Sequence, residues 1–130
     1  MTGLHYDSGL LVRAAHGDRG AWQLHERTLR RGVVPVVTSP VLAAAYREID
    51  DAGLLDRLLT GCSVVDFPAV AAPAVGRLLS RSRSDDLAAA ALVLVAVSAR
   101  AAVATTRPAA LRRLAGALGA ALPMLELATG

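Results

Sequence analysis

His5-Tyr6-Asp7-Ser8-Gly9-Leu10-Leu11 decides how the chain begins, and with it the fold. Leu4-His5-Tyr6 reads as a short strand closed by Asp7. From Ser8 the pattern turns helical: Ser8 suits an N-cap, and Leu10, Leu11 and Ala14 follow at helical spacing before Gly17 ends the run. A carboxylate at the carboxyl end of a first strand faces the crevice where open α/β sheets bind ligands. Mg2+ is commonly bound through one or two carboxylates plus substrate phosphates, which makes Asp7 the first candidate for site chemistry. The structural alternative for Asp7 is a cap on the helix that follows.

Outward from this join the same alternation continues. Asp18 caps a second helix carrying Trp22, Leu24 and Leu29, with Arg27, Arg30 and Arg31 near its C-terminus, where cations complement the helix dipole, and Gly32 as the stop. Residues 33–37, Val-Val-Pro-Val-Val, read as a buried strand in which Pro35 lacks one ladder donor. Ser39 as N-cap and Pro40 at the first helical position open a third helix with Val41, Leu42, Ala45 and Ile49, broken at Asp50-Asp51-Ala52-Gly53. Residues 54–59 form a short helix and residues 63–66 a third strand. Residues 68–79 are helical in pattern; Pro73 would cost about 3 kcal/mol in a helix interior, so a kink or a later start is expected. A polar loop at residues 80–83 leads to Ser84, read as the cap of an apolar helix over 87–99. Residues 101–105 form a fourth strand, 108–118 a helix with Arg112 and Arg113 outward, and 122–127 a fifth strand. Such alternation implies a mostly parallel sheet covered by helices on both faces, in a single domain over 1–130 with no repeat and no linker.

Composition narrows the class. Hydrophobic residues make up 54% of the chain and aromatics 3%, so the core is built from Ala, Val and Leu. Mean hydropathy is +0.45, which points to a deeply buried fold with some apolar surface left for a partner, and a homodimer is expected. All 14 basic residues are arginine and the net charge is +3. Guanidinium forks match phosphate oxygens, yet +3 is too small a charge to assign nucleic-acid binding. GC-rich coding is the plainer source of an Arg- and Ala-rich chain. Cys62 is alone, so no internal disulfide is possible and a reducing, cytoplasmic setting is expected. The apolar run at 87–99 is shorter than the roughly 20 residues a membrane span needs.

With these features in place, the chain resembles the PIN domain, and in particular the VapC-type toxins of actinobacterial toxin–antitoxin systems. The resemblance is carried by Tyr6-Asp7-Ser8-Gly9-Leu10, Gly17-Asp18-Arg19, Trp22 and Leu24-His25. It continues through residues 36–43 with Tyr46-Arg47, residues 58–62, Ser84-Asp85 and Val103-Ala104-Thr105-Thr106. It implies a PIN-like three-layer α/β/α fold with a central parallel sheet of four or five strands. It also implies Mg2+- or Mn2+-dependent cleavage of RNA by acids gathered at the strand ends, and an antitoxin as partner. Matching positions leave Asp7 and Asp85 as metal ligands and catalytic acids. Three positions depart from the pattern. Ala44 and Ala88 stand where relatives carry Glu or another acid, and Arg107 stands where relatives often carry Asp. Two outcomes follow: a ribonuclease with weakened or lost catalysis, or a catalytically inactive PIN-like binding or assembly module.

Each candidate also has a plainer role. Asp85 can favour the first turn of the apolar helix through its dipole. Asp86 lies about 100° further round that helix and substitutes for Asp85 only if the helix is rotated. Ser8 can touch a metal-bound water or simply cap. Arg107 can pair with Asp7 or Asp85, bind a phosphate, or point to water. Glu48, Asp50 and Asp51 read as a solvated face, His5 as structural, and His25 as a surface or core-edge residue; His5, His16 and His25 lack metal-ligand spacing.

Overall fold

In the computed structural model, which describes residues 3–127, the strands are β1 (Leu4–Tyr6), β2 (Val36–Thr38), β3 (Ser63–Val65), β4 (Ala102–Thr105) and β5 (Met124–Glu126). The helices are α1 (Ser8–Ala15), α2 (Arg19–Arg30), α3 (Ser39–Tyr46), α4 (Gly53–Leu59), α5 (Ala72–Ser82), α6 (Leu87–Ser98) and α7 (Pro108–Ala117). All five strands run parallel in the order β3-β2-β1-β4-β5. Helices flank the sheet, giving the three-layer α/β/α arrangement that the alternating pattern implies.

The topology fixes where a site can form. From β1 the chain moves to β2 and β3 on one side, then crosses back to β4 and β5 on the other. β1 and β4 are therefore neighbours whose onward connections leave in opposite directions, with Leu4, His5 and Tyr6 in register with Ala102, Val103 and Ala104. Open α/β sheets bind ligands at this kind of switch, outside the carboxyl ends of the strands. The residues that leave those two ends are Asp7 and Thr106-Arg107.

The interior follows the composition. Among the described residues, Tyr6 is the one large aromatic that is fully buried; Leu10, Leu11, Leu55, Leu58, Leu78, Leu92 and Leu111 carry most of the remaining core volume, with small alanines between them. Helix α6 is apolar all round, which requires burial on several sides. It packs on α3, α5, α7 and β1, and buries Ala89 to Val93 and Ala96. Its first residue, Leu87, stays 59% exposed and faces the site described below.

Several local expectations shift by one to four residues, for physical reasons. The N-cap of α1 is Asp7 rather than Ser8: Asp7 has the extended backbone (φ −83°, ψ 160°), and its carboxylate accepts from the Ser8 amide. Thr38 rather than Ser39 occupies the cap position of α3; Ser39 Oγ is used elsewhere, accepting from the Phe67 amide at 3.1 Å. Asp86 rather than Ser84 caps α6, and Ser84 Oγ supports it by accepting from the Asp86 amide. The second strand starts only at Val36, since Pro35 has no N–H to donate; its carbonyl still accepts from Ser63 at 2.8 Å. The Pro73 problem is solved by a later start: a 3-10 turn at Ala69–Ala71 precedes α5, so Pro73 sits in the first turn, where no helical donor is lost. Helix α5 then runs through the expected polar loop to Ser82, ending at Arg83 in the left-handed region (φ 55°). Among the described residues, no helix is long and apolar enough to cross a membrane.

Candidate functional site

Asp7 lies completely out of solvent at the carboxyl end of β1. A buried carboxylate is tolerated only when it is paired and hydrogen-bonded. Its Oδ1 accepts from the Ser8 amide at 2.8 Å, and its Oδ2 accepts from Thr105 Oγ1 at 2.8 Å. The third partner is Arg107, whose Nη2 lies 3.2 Å from Oδ1 and 3.5 Å from Oδ2. Thr105 thus serves two neighbours with one hydroxyl: it donates to Asp7 and accepts from the Arg107 amide at 2.8 Å. That pair of bonds sets the start of the β4–α7 loop and aims Arg107 back at β1.

The same guanidinium reaches a second acid. Arg107 Nη1 donates to Asp86 Oδ2 at 2.7 Å, while Asp86 Oδ1 caps α6 by accepting from the Ala89 amide at 3.0 Å. Arg107 therefore joins β1, β4 and α6 in one clasp, Asp7–Arg107–Asp86. Partial burial alone would raise the Asp86 carboxyl, but the Ala89 amide and the Arg107 guanidinium outweigh it and hold it below its ordinary value. Burial would likewise pull the Arg107 guanidinium down; Asp7 and Asp86 together offset that and hold it above its ordinary value. The two shifts agree on a mutually stabilised ionic cluster.

The clasp forms the inner end of a broad cleft of about 840 Å3 between the start of α1, the face of α3 and the start of α6. Its walls are mostly small or apolar: Gly9, Val12, Pro40, Ala43, Ala44, Leu87 and Ala88. Its charged lining is Arg47, Glu48, Asp85, Asp86 and Arg107. Gly9 allows the close approach of α1 to the β4–α7 loop, because a Cβ there would run into Thr106 Oγ1.

The sequence-derived candidates fall as follows. Asp7, Ser8, Asp85 and Arg107 all belong to this one region. Asp85 is exposed on the cleft wall, and its carboxylate has no hydrogen bond or ion pair among the described residues. Asp86, which sequence reasoning set aside, is the acid that meets Arg107. The only signal for it was the cap: with Leu87 as the first helical residue, Asp86 must be the cap and points back toward the strand ends. Ser8 contributes its amide to Asp7 and lines the cleft. Glu48 also lines the cleft, whereas Asp51 forms a local turn by accepting from the Gly53 amide. His25 is buried, not at the surface or the core edge: Tyr6 Oη and His25 Nδ1 are 2.8 Å apart, and Trp22 packs edge-on to its ring.

A divalent cation of the kind implied by the resemblance does not fit this arrangement. Asp7 accepts from the Ser8 amide and the Thr105 hydroxyl, and the acceptor capacity left on Asp7 and on Asp86 Oδ2 is taken by the Arg107 guanidinium between them. The positions that would bring further carboxylates are Ala44 and Ala88.

No family model and no curated protein matches the chain. Among solved structures it is similar to a chain of VapBC2 from Rickettsia felis, a complex solved bound to a DNA fragment from its promoter. The TM-score is 0.66 at 17% identity, covering 95% of this chain and 97% of that one. The likeness is one of fold. It extends over nearly the whole length of both chains and agrees with a PIN-like architecture.

Proposed function

We propose that this chain is a PIN-like module of the toxin–antitoxin kind, whose crevice binds a protein partner and no longer carries out metal-dependent hydrolysis of RNA. The observation that carries this reading is the Asp7–Arg107–Asp86 clasp: the acid that would anchor a catalytic cation is buried and already neutralised by the protein's own arginine.

The surroundings of the clasp support a protein partner. The exposed walls are apolar, with Leu87 and alanines at the front, and the charges are mainly acidic: Glu48, Asp85 and Asp86 on the cleft wall and Asp7 beneath, against Arg47 and Arg107. In a chain of net charge +3 this crevice is locally negative. RNA phosphates would meet carboxylates there. A polypeptide segment with apolar side chains and a basic residue matches both features. The similar chain comes from a VapBC2 complex, and by analogy of fold the proposed partner is the cognate antitoxin-type chain. Self-association into a homodimer through exposed apolar surface belongs to the same reading.

A second reading keeps a weak Mg2+- or Mn2+-dependent ribonuclease with Asp7 and Asp85 as ligands. It is favoured by one observation, the unpaired Asp85 carboxylate on the cleft wall. The two readings separate in one assay: the purified chain is incubated with a mixed RNA pool in the presence of Mg2+ or Mn2+, beside the Asp7→Asn variant. The binding-module reading expects no cleavage above that variant. Metal-dependent cleavage that disappears with Asp7→Asn would overturn it in favour of the ribonuclease.

A further inference from the structure

We propose that Arg107 is the resident cation of this crevice: its guanidinium holds the place a divalent cation would take between the carboxylates of Asp7 and Asp86, and its removal opens a divalent-cation site made of those two side chains. The inference deepens the reading above, with which it shares the clasp.

Each of the two acids is fixed by groups other than the arginine. Asp7 is pinned by the Ser8 amide and the Thr105 hydroxyl, and Asp86 by the Ala89 amide at the start of α6. Their remaining oxygen lone pairs converge on one guanidinium, at 2.7 Å from Asp86 and 3.2 Å from Asp7. The two carboxylates, held by separate elements, meet the two terminal nitrogens of the same guanidinium, so a single positive charge serves both. Hard oxygen donors in a pair, with water completing the shell, suit Mg2+ or Mn2+. The Arg107 side chain is 38% exposed to the cleft, so a cation has a path in once the arginine is gone.

The test compares thermal unfolding of metal-stripped wild type, Arg107→Ala and Arg107→Gln, each with and without millimolar MnCl2 or guanidinium chloride, at matched ionic strength. Wild type is expected to be indifferent to both. The variants are expected to unfold at lower temperature, and to recover by about 5 °C when Mn2+ stands roughly tenfold above its Kd. Free guanidinium is expected to restore part of the loss. Adding Asp86→Asn to either variant is expected to abolish the Mn2+ response, which marks the site as the clasp. Variants that keep wild-type stability, or that stay destabilised or unfolded whatever cation is added, would overturn the inference. Its failure is distinct from that of the functional reading: cation-indifferent Arg107 variants would overturn this inference and leave the RNA result unchanged, whereas metal-dependent RNA cleavage by wild type would overturn the functional reading and would show as a Mn2+ response of wild type itself.

Discussion

Arg107 Nη1 and Asp86 Oδ2 lie 2.7 Å apart, joining the loop after β4 to the cap of α6 at the inner end of the crevice. The bond does two jobs. It supplies half of the positive charge that the acids require, and it holds the capping carboxylate over the first turn of α6, whose residues from Ala89 to Val93 are all buried.

Asp86→Asn keeps a capping oxygen but removes the charge, whereas Asp86→Ala removes both. Loss of an N-cap costs about 1 kcal/mol, and the ion pair adds less than its short distance suggests because both side chains are about a third exposed and screened by solvent. Asp86→Ala is expected to lose about 1–2 kcal/mol in urea unfolding and Asp86→Asn less than half of that. Equal losses in the two variants would show that the charge, not the cap, dominates.

Mild acid should destabilise the fold through its two buried histidines. His5 and His25 are each 4% exposed, and burial lowers both imidazoles below the ordinary value of 6.5; for His25 the nearby Glu26 opposes this only in part. The unfolded chain therefore takes up protons that the folded chain refuses. The stability these residues contribute is fully present above pH 6.5 and falls as pH drops toward their folded values. Each histidine can contribute a slope of up to about 1.4 kcal/mol per pH unit. Urea midpoints should be level from about pH 7.5 to pH 6.5 and fall from there to pH 5, and His25→Gln should flatten the lower part of the curve. A flat profile across that window would contradict the burial argument.

Two glycines should respond in opposite ways. Gly9→Ala places a Cβ against Thr106 Oγ1 and is expected to cost about 1–2 kcal/mol by disturbing the loop that carries Arg107. Gly76, inside α5, has open space within 4 Å of where a methyl group would sit, and Gly76→Ala is expected to stabilise by about 0.5–1 kcal/mol. Thermal unfolding of the pair decides this; a stabilising Gly9→Ala would mean the loop yields without strain.

The alternation of strand and helix was legible in the sequence because stops and starts are strong local signals. Gly17, Gly32 and Gly119 all adopt positive φ just past helix ends, and Asp18 caps α2 by accepting from the Ala21 amide. The site was less legible because it depends on which residue wins a cap. Ser84 and Asp86 are both good capping residues, and placing the cap at Ser84 puts Asp85 in the first turn and leaves Asp86 on the wrong side. The carboxylate wins because it can serve the Ala89 amide and Arg107 together, a reward that exists only once β4 is in place beside it. The burial of His25 was hidden for a similar reason: its partner Tyr6 comes from a strand nineteen positions away and meets it only in the assembled core.

Association is expected from surface that remains apolar after folding. Val34, Val64, Val70, Leu87 and Leu125 are each at least 45% exposed. Light scattering at tens of micromolar should return a dimer mass, and a monomer at that concentration would contradict the expectation.

The most direct test of the central claim is calorimetric titration of Mn2+ into the metal-stripped, unmodified protein. With Arg107 already seated between Asp7 and Asp86, no saturable heat should appear at millimolar Mn2+. A saturable isotherm that vanishes in Asp7→Asn would show that a cation displaces the arginine, and would contradict a crevice already filled by its own guanidinium.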